Sequence, residues 1–307
     1  MTGGNATAET FAGCHRYFLK HRPCLGMMEN LEHLDEDASS TELVLPNDTR
    51  DSNLDQIRTR MQEIGYLLLC THTNTRLYGP PQNRPRLYFA ACALELFKFD
   101  VPAGLECLQS IETTFKALQM PTLPLDMFLL DDEDEMVLNE LEQRCVSGAQ
   151  AFGDLSSWQK RHQAEFEKAG LRWGHEKVPK EFSESPWWNL LSPREQDIVL
   201  YTLLTEPTAT SVDVQPYIGR NRVTHADKPY TGAVLPNEKR FLISRRRLRT
   251  ACESLMLQAF PLDQIDTTAS VQTLQSLAGN AWTGTVAMAL LFAMWGHVPV
   301  APLRDRN

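Results

Sequence analysis

Short apolar runs alternate with one helical pattern between residues 23 and 93, and no other feature of the sequence constrains the fold as strongly. Apolar residues recur at positions 54, 57, 61 and 64, which is the spacing of one helix face, and Gly65 ends that pattern. The strand candidates are residues 24–28, 66–71 and 86–93, with a turn at residues 78–81. The order strand, helix, strand, turn, strand predicts one piece of an α/β sheet.

The rest of the chain differs from this region in composition and in its predicted elements. Residues 100–225 hold acidic runs and tryptophan-bearing segments, which predicts a variable and largely helical insert. Within it, Ser192, Pro193 and Glu195 have the pattern of a capped helix start. Further helices are expected at residues 8–20, 157–169, 193–204, 251–258 and 284–295. The sequence thus predicts three regions, at 1–99, 100–225 and 226–307.

The composition is that of a folded, soluble chain. Hydrophobic residues make up 42% and charged residues 22% of the 307 residues, which excludes intrinsic disorder. The longest apolar run, residues 286–295, has about half of the roughly 18 residues that a membrane span needs, so it predicts a buried helix and no membrane partner. The N-terminus lacks the basic and apolar regions of a secretory signal. Seven cysteines without a Cys-x-x-Cys pair argue against disulfides and zinc, and they favour a reducing, intracellular location.

The charge is unevenly distributed. The whole chain carries −9, but residues 215–250 hold nine Lys and Arg against two Asp and Glu, a local +7 that leaves −16 elsewhere. The overall charge argues against a generic nucleic-acid binder. The basic segment predicts either a surface that contacts phosphates or an ordinary solvated face.

Four short segments carry polar residues that could take part in catalysis or binding. They are Glu29-Asn30-Leu31, then Gly79-Pro80-Pro81-Gln82-Asn83-Arg84-Pro85-Arg86, then Leu257-Gln258-Ala259-Phe260-Pro261, and last Gly279-Asn280-Ala281. In residues and in order, they resemble the motifs Glu-Asn-Val, Gly-Val-Pro-Gln-x-Arg-x-Arg, Leu-Gln-x-Phe-Pro and Gly-Asn-Ala/Ser of the DNA (cytosine-5) methyltransferase family. The resemblance covers about residues 16–99 and 226–297. It implies the C-terminal part of a Rossmann-like methyltransferase sheet, with residues 100–225 as its target-recognition insert.

The resemblance also implies a mechanism and a set of site residues. In the family, a thiolate adds to C6 of a flipped cytosine, and C5 then takes a methyl group from S-adenosylmethionine. Glu29 resembles the carboxyl that holds N3 and the 4-amino group, a form of general acid help worth roughly 10²–10⁴ in rate. Arg86 resembles the group that binds O2 of the base, supported by Arg84 and Gln82. Without the motifs, Glu29 would be an ordinary strand-end residue and the arginines would be surface residues.

Two further sets of residues follow from the same resemblance. Asn280 and Ala281 resemble the motif that meets the amino-acid end of S-adenosylmethionine from the start of the last helix, although Gly-Asn is also common in plain turns. Thr250 and Glu253 form a capping box, whose role is structural. The basic segment supplies the candidate contacts to DNA phosphates, which are Lys239, Arg240, Arg245, Arg246, Arg247 and Arg249.

The chain departs from the family pattern in one large respect. It contains neither the Phe-x-Gly-x-Gly segment that binds the cofactor nor the Pro-Cys-Gln segment that carries the nucleophile. Pro23-Cys24 is no substitute, because it leads directly into the strand of Glu29. We therefore expect a fragment or split subunit that is inactive alone and works with a missing N-terminal half or a partner chain that covers the exposed edge of its sheet.

Several alternatives stay open at this stage. The chain could be a non-catalytic DNA-binding or regulatory homologue, or a relative of tRNA cytosine methyltransferases that acts on RNA. A generic α/β domain with coincidental motifs is disfavoured by their order. The expected location is intracellular, and nuclear if the source is eukaryotic.

Overall fold

The computed structural model describes residues 6–31, 53–146, 155–228 and 230–299. The chain divides into two compact units. The first unit comprises Met1–Tyr78, Pro85–Met120 and Val286–Asn307, and the second comprises Gly79–Arg84 and Pro121–Thr285.

The helices and strands are numbered along the chain. The helices are α1 (Ala6–His21), α2 (Asn53–Glu63), α3 (Val101–Ala117), α4 (Glu135–Val146), α5 (Leu155–Lys168), α6 (Lys180–Ser183), α7 (Pro193–Thr205), α8 (Ala251–Leu257), α9 (Val271–Asn280) and α10 (Gly284–His297). The strands are β1 (Leu25–Leu31), β2 (Tyr66–Asn74), β3 (Gln82–Asn83), β4 (Pro85–Ala93), β5 (Ala209–Asp213), β6 (Val223–His225), β7 (Thr231–Gly232), β8 (Arg240–Leu242) and β9 (Arg247–Leu248).

The first unit is built on a three-stranded sheet in the order β1-β4-β2, in which β4 runs antiparallel to both neighbours. The predicted order of strand, helix, strand, turn and strand is confirmed. The first strand is longer than predicted, because its pairing with β4 continues to Leu31, opposite Arg86. Glu29 therefore lies within β1 and opposite Tyr88. Pro85, which cannot donate to a ladder, occupies the first position of β4.

Helices cover both faces of this sheet, because alternate strand residues point to opposite sides. On one face, α1 and α2 pack Phe18, Ile57 and Met61 against strand residues that include Tyr66 and Phe89. On the other face, α3 and α10 pack Leu108, Ile111, Phe115, Val286 and Leu290 against strand residues that include Leu69 and Ala90. The first unit is therefore an α/β arrangement of three layers.

The second unit combines helices with a small sheet. Four short antiparallel strands pair in the order β6-β5-β8-β9. Their apolar residues join Trp187, Trp188 and Ile198 in one buried cluster that includes Val212 and Phe241. A separate parallel pair joins β3 to β7, with Gln82 opposite Thr231.

These units differ from the three predicted regions. Helix α3 belongs to the first unit, because its buried residues pack on the β1-β4-β2 sheet. The four-stranded sheet takes β5 and β6 from before residue 226 and β8 and β9 from after it. The expected boundaries near residues 100 and 226 therefore cut through packed cores.

Local signals in the sequence correspond to well-formed helix starts. At α7, the backbone N–H of Glu195 donates to Ser192 Oγ (3.3 Å) and that of Ser192 donates to Glu195 Oε2 (2.8 Å). Thr250 and Glu253 form the same reciprocal box at α8, at 3.1 and 2.8 Å. Both predicted capping boxes are confirmed.

No single helix among the described residues is long and apolar enough to cross a membrane, and α9 and α10 meet that test only as a bent pair. The residues of α10 that face the first unit's core, among them Ala289, Ala293 and Met294, are buried.

Candidate active site

Glu29 and Arg86 meet in the first unit. The guanidinium Nε of Arg86 lies 3.2 Å from Glu29 Oε1, and the two side chains are only 13% and 7% exposed. Glu29 lies opposite Tyr88 across the β1–β4 ladder, and Arg86 is two residues before Tyr88. The two side chains therefore share one face of the sheet, on a diagonal that long side chains span.

The neighbouring strand contributes hydroxyl groups to the same face. Thr73 of β2 lies opposite Arg86, and Thr71 lies opposite Tyr88. Tyr78, which follows β2, donates its hydroxyl to the carbonyl of Phe115 (3.2 Å) and stacks on that ring. Burial raises the pKa of Tyr78, so its phenol stays protonated at neutral pH. Glu29 and Arg86 are thus the charged groups that this face brings together, with Tyr78 serving the packing.

Gln82 and Arg84, predicted as members of the active site, have a different role. Both belong to the second unit and are almost fully buried. Gln82 donates to the carbonyl of Leu257 (3.0 Å) and accepts from the N–H of Val234 (2.9 Å). These bonds connect β3 to two distant chain segments. The structure therefore assigns Gln82 to scaffolding.

Arg84 also binds backbone. Its guanidinium donates to the carbonyls of Val234 (3.1 Å), Gly279 (3.5 Å) and Ala281 (3.1 Å). A buried guanidinium whose donors are used on carbonyls is held in place by several charge-assisted hydrogen bonds. The described contacts of Arg84 are thus to backbone, and its support of the base-binding site stays a prediction.

Residues of the two C-terminal motifs complete this buried network. Gln258 accepts from Gln82 Nε2 (3.3 Å) and from the hydroxyl of Thr283 (2.9 Å), and it donates to the carbonyl of Ala278 (2.8 Å). We call Gln82, Arg84, Gln258 and Thr283 the motif network. The structure therefore shows a structural reason why these short motifs occur together, since their side chains hydrogen-bond to one another's segments.

The predicted cofactor residues lie elsewhere than expected. Asn280 is the last residue of α9, and the last helix begins only at Gly284. Gly279 lies within α9, and a Cβ at this position would lie 2.0 Å from the backbone N of Pro236. Asn280 is exposed and donates to the carbonyl of Ser276 (3.0 Å). Asn280 does not stand at the start of the last helix.

The contact of Asn280 and Ala281 with the amino-acid end of S-adenosylmethionine stays a prediction. The Ala281 carbonyl accepts from Arg84, and Asn280 offers one exposed amide. Among the described residues, no group of three or more His, Cys, Asp or Glu side chains is arranged to hold a metal ion.

Three of the six candidate DNA contacts are buried. Arg247 makes a two-pronged pair with Glu253 (2.8 and 3.0 Å) and also reaches Asp132 (2.6 Å). Arg240 and Arg249 share Glu238, at 2.6 and 2.5 Å. All three arginines are at most 5% exposed. Phosphates cannot reach guanidinium groups in such positions, so the expectation of DNA contact is corrected for Arg240, Arg247 and Arg249.

The other three candidates differ in exposure. Lys239 is partly buried and pairs with Glu195 (2.7 Å). Arg245 donates to the carbonyl of Leu130 (3.0 Å) and lies 3.5 Å from Asp132. Arg246 is exposed. Arg246 is therefore the exposed member among the six candidates.

The carboxylates that neutralise this segment were not visible as partners in the sequence. Glu238 lies two residues before Arg240, but Asp132 is 115 residues from Arg247. Burial acts to raise the pKa of Glu238, but the guanidinium groups of Arg249 and Arg240 outweigh burial and lower that pKa. Of the carboxylates that pair with these arginines, only Glu253 had a recognisable sequence pattern, which is the capping box with Thr250. That pattern did not indicate its pairing with Arg247.

Two of the described cysteines, Cys92 and Cys252, are buried, and burial determines their protonation state. Burial raises the pKa of Cys92 to about 12 and that of Cys252 to about 11. Both thiols therefore stay protonated at neutral pH and are poor nucleophiles. Cys24, at the start of the segment that leads into β1, is exposed.

Comparison with known proteins gives a family. The sequence profile of the C-5 cytosine-specific DNA methylase family matches residues 3–294. This chain belongs to the C-5 cytosine-specific DNA methylase family. No curated protein matches the chain.

Two solved structures are similar to this chain. The S. pombe Dnmt2 methyltransferase shares 12% identity over 89% of this chain and 67% of its own, with a TM-score of 0.41. A mutant of Spodoptera frugiperda DNMT2 shares 15% identity over 88% of this chain and 66% of its own, with a TM-score of 0.36. The chain thus spans about two thirds of the length of each of these proteins.

Proposed function

We propose that this chain supplies the base-holding part of a cytosine-5 methyltransferase. The observation that carries the proposal is the Glu29–Arg86 pair, at 3.2 Å on one face of the β1-β4-β2 sheet. A carboxyl group and a guanidinium at this separation offer donors and acceptors to one edge of cytosine. S-adenosylmethionine would supply the methyl group.

The two side chains have separate roles in this proposal. Glu29 binds N3 and the 4-amino group of a flipped cytosine and makes C6 more electrophilic by delivering a proton toward N3. Arg86 donates to O2, for which a rigid planar guanidinium is better suited than an ammonium. Contacts to N3, the 4-amino group and O2 along this edge would fix the plane of the base for attack at C6.

The cofactor loop and the nucleophile are assigned to another segment, on this or on a second polypeptide. Two features of the first unit support this assignment. Within the described residues, β1 pairs with β4 and with no other strand. Helix α10 also exposes Met288, Phe292 and Trp295, at 48%, 58% and 65%, on the face opposite its buried residues. A sheet-edge strand and an exposed apolar helix face are each suited to pairing or packing with a further α/β segment.

The test is reconstitution. The purified chain is mixed with a polypeptide that carries the Phe-x-Gly-x-Gly and Pro-Cys-Gln segments of the family. Transfer of labelled methyl groups is measured on duplex DNA and on structured RNA. We expect methylation with the native chain and a roughly 10²- to 10⁴-fold lower rate with Glu29→Gln, because the amide cannot deliver the proton.

A matched control is Glu63→Gln, which makes the same change at an exposed position of α2 in the same unit. Thermal melts of both variants show whether the fold is kept. Full activity of a folded Glu29→Gln variant would disprove the role of Glu29.

A second candidate function is a non-catalytic nucleic-acid-binding homologue. It is favoured by the absence of the family's Pro-Cys-Gln segment from the sequence. If the native mixture binds DNA with salt-dependent affinity and transfers no methyl group to DNA or RNA, this second function replaces the first.

A further inference from the structure

Although Arg240, Arg247 and Arg249 are buried, other basic residues of the second unit are exposed to solvent. Four basic residues of the segment 215–250 are exposed, and three of them precede β7. These residues are Arg220, Arg222, Lys228 and Arg246. Arg220 and Arg222 lie in or next to the connection between β5 and β6. We call residues 214–222 the β5–β6 loop.

The same loop exposes an aromatic ring. Tyr217 is 55% exposed. The guanidinium carbon of Arg161, an exposed residue of α5, lies 4.4 Å from the centre of its ring. Such a stack holds the ring in a defined orientation, at an energy of about 0.5–1 kcal/mol at exposed sites. One ring face thus carries a cation, and the side chain as a whole remains accessible.

The backbone of the loop is held by three sets of hydrogen bonds. Arg194 donates to the carbonyls of Val214 (3.0 Å) and Pro216 (3.2 Å). Asn221 Nδ2 donates to the carbonyl of Asp213 (2.9 Å). A turn closes where the N–H of Arg220 donates to the carbonyl of Tyr217 (3.0 Å). The loop is therefore pre-organised, which lowers the ordering cost of binding.

Few acidic side chains oppose these cations. Glu165 of α5 lies near Gly219, but Lys168 pairs with it at 2.6 Å. Asp227 is next to Lys228 in the chain, and Asp213 is buried. On a chain with a net charge of −9, a locally basic and aromatic surface is a specific feature, since most surface charge is of the opposite sign.

We propose that the β5–β6 loop, together with Arg161, is the nucleic-acid-contacting surface of the second unit. Arg220 and Arg222 contact phosphates, and Tyr217 stacks on an unpaired base. Backbone phosphates and base faces are common to DNA and RNA, so this chemistry fits either. The inference rests on the proposed function, because it assumes a nucleic-acid substrate.

Fluorescence anisotropy of the full chain tests this proposal with three labelled probes. The probes are a 20-base-pair duplex DNA, a single-stranded DNA and an RNA stem–loop, each measured over a series of salt concentrations. We expect Arg220→Ala/Arg222→Ala to weaken binding at low salt at least tenfold. The slope of log affinity against log salt should become shallower by about 1 to 2, because two phosphate contacts are lost.

Tyr217 provides an independent variant. Tyr217→Ala is expected to weaken binding by about fivefold to a hundredfold with little change in the salt slope, since stacking is not a charge effect. Tyr217→Phe should restore most of the affinity, because it keeps the ring. The charge-matched control is Lys177→Ala/Lys180→Ala, which removes two exposed cations of the same unit outside the loop and outside the candidate DNA contacts.

The outcomes distinguish failure of the loop proposal from failure of the proposed function. If the native chain binds and the loop variants bind as tightly as the control variant, the loop proposal is wrong and the proposed function stands. If the native chain binds none of the three probes, the loop proposal is wrong, and methyl transfer by the reconstituted mixture decides separately whether the proposed function stands. A preference for the duplex or for the RNA identifies the source of the phosphates.

Discussion

Arg84 and Arg86 stand one proline apart in the same motif, yet they belong to different units and have different partners. Arg84 is 4% exposed and donates to three backbone carbonyls. Arg86 pairs with the carboxylate of Glu29 across two strands. Pro85 begins β4 between them. One side chain is part of the scaffold, and the other is presented beside a second reactive group.

The chemical identity of the partner explains the difference. A side-chain substitution cannot remove a backbone carbonyl, so the guanidinium of Arg84 joins its own segment to two distant segments, at Val234 and at residues 279–281. A carboxylate is a side chain that can exchange an ion pair for contacts to a ligand. The contrast separates the motif network of the second unit from the Glu29–Arg86 pair of the first.

The largest expected effect is that of Arg84→Ala. The substitution leaves the carbonyls of Val234, Gly279 and Ala281 without this donor, and we expect a loss of about 3–4 kcal/mol in the free energy of unfolding. Urea denaturation of the full chain measures it. No second substitution should restore the loss, because the partners are backbone atoms.

Arg86→Ala gives the contrasting result. It leaves the buried carboxylate of Glu29 without the guanidinium, which is destabilising. Adding Glu29→Gln removes that charge, so the double variant should regain a large part of the stability, and the double-mutant cycle should show a coupling energy above about 1 kcal/mol. Additive effects of the two substitutions would mean that Glu29 and Arg86 do not interact in the folded chain.

A smaller contrast of the same kind exists between Gly279 and Asn280. A Cβ on Gly279 would lie 2.0 Å from the backbone N of Pro236, so Gly279→Ala forces α9 away from that segment. We expect a cost of about 2–3 kcal/mol. Asn280→Ala, at the neighbouring exposed position, should cost less than about 0.5 kcal/mol. Thermal and urea denaturation compare the two, and equal costs would show that α9 does not pack as described.

The elements that could be predicted from sequence are those with a local signal. The strands β1, β2 and β4 are apolar runs of ordinary length, and α7 and α8 begin with complete capping boxes. Helix α3 also has a usable signal, because Leu108, Ile111 and Phe115 recur at helical spacing and are buried. The strands β5 to β9 have only two to five residues each, which is too short for a period-2 pattern to be distinguished from a loop.

The candidate site was predictable only in part for a related reason. The type of each motif residue is visible in the sequence, and so is its place on a strand. Burial and partner are not, because they depend on contacts between residues far apart, such as Gln82 with Leu257 or Arg247 with Asp132. A run of arginines has the same appearance in a sequence whether it faces phosphates or buried carboxylates.

The smallest expected effect concerns two buried carboxylates on either side of Arg240. Burial raises the pKa of Asp213 above its ordinary value of 3.8, and the charge of Glu238 adds to this increase. The folded chain thus binds this proton more tightly than the unfolded chain does. The stability that Asp213 contributes is present below pH 4 and is lost as the pH rises through the raised pKa.

Asp213→Asn removes that loss, since the amide stays neutral and its oxygen can still accept from the N–H of Gln215. We expect the variant to be slightly more stable than the native chain at pH 7, with the difference vanishing as the pH falls below about 4. Glu238→Gln should give the opposite sign, because the lowered pKa of Glu238 means that its contribution is present above its ordinary pKa and is lost on acidification. Melting temperatures between pH 4 and 7 measure both. If Asp213→Asn and the native chain have parallel pH profiles, the charge on Asp213 does not destabilise the fold. The expected contrast between Asp213, whose pKa is raised, and Glu238, whose pKa is lowered, would then be wrong.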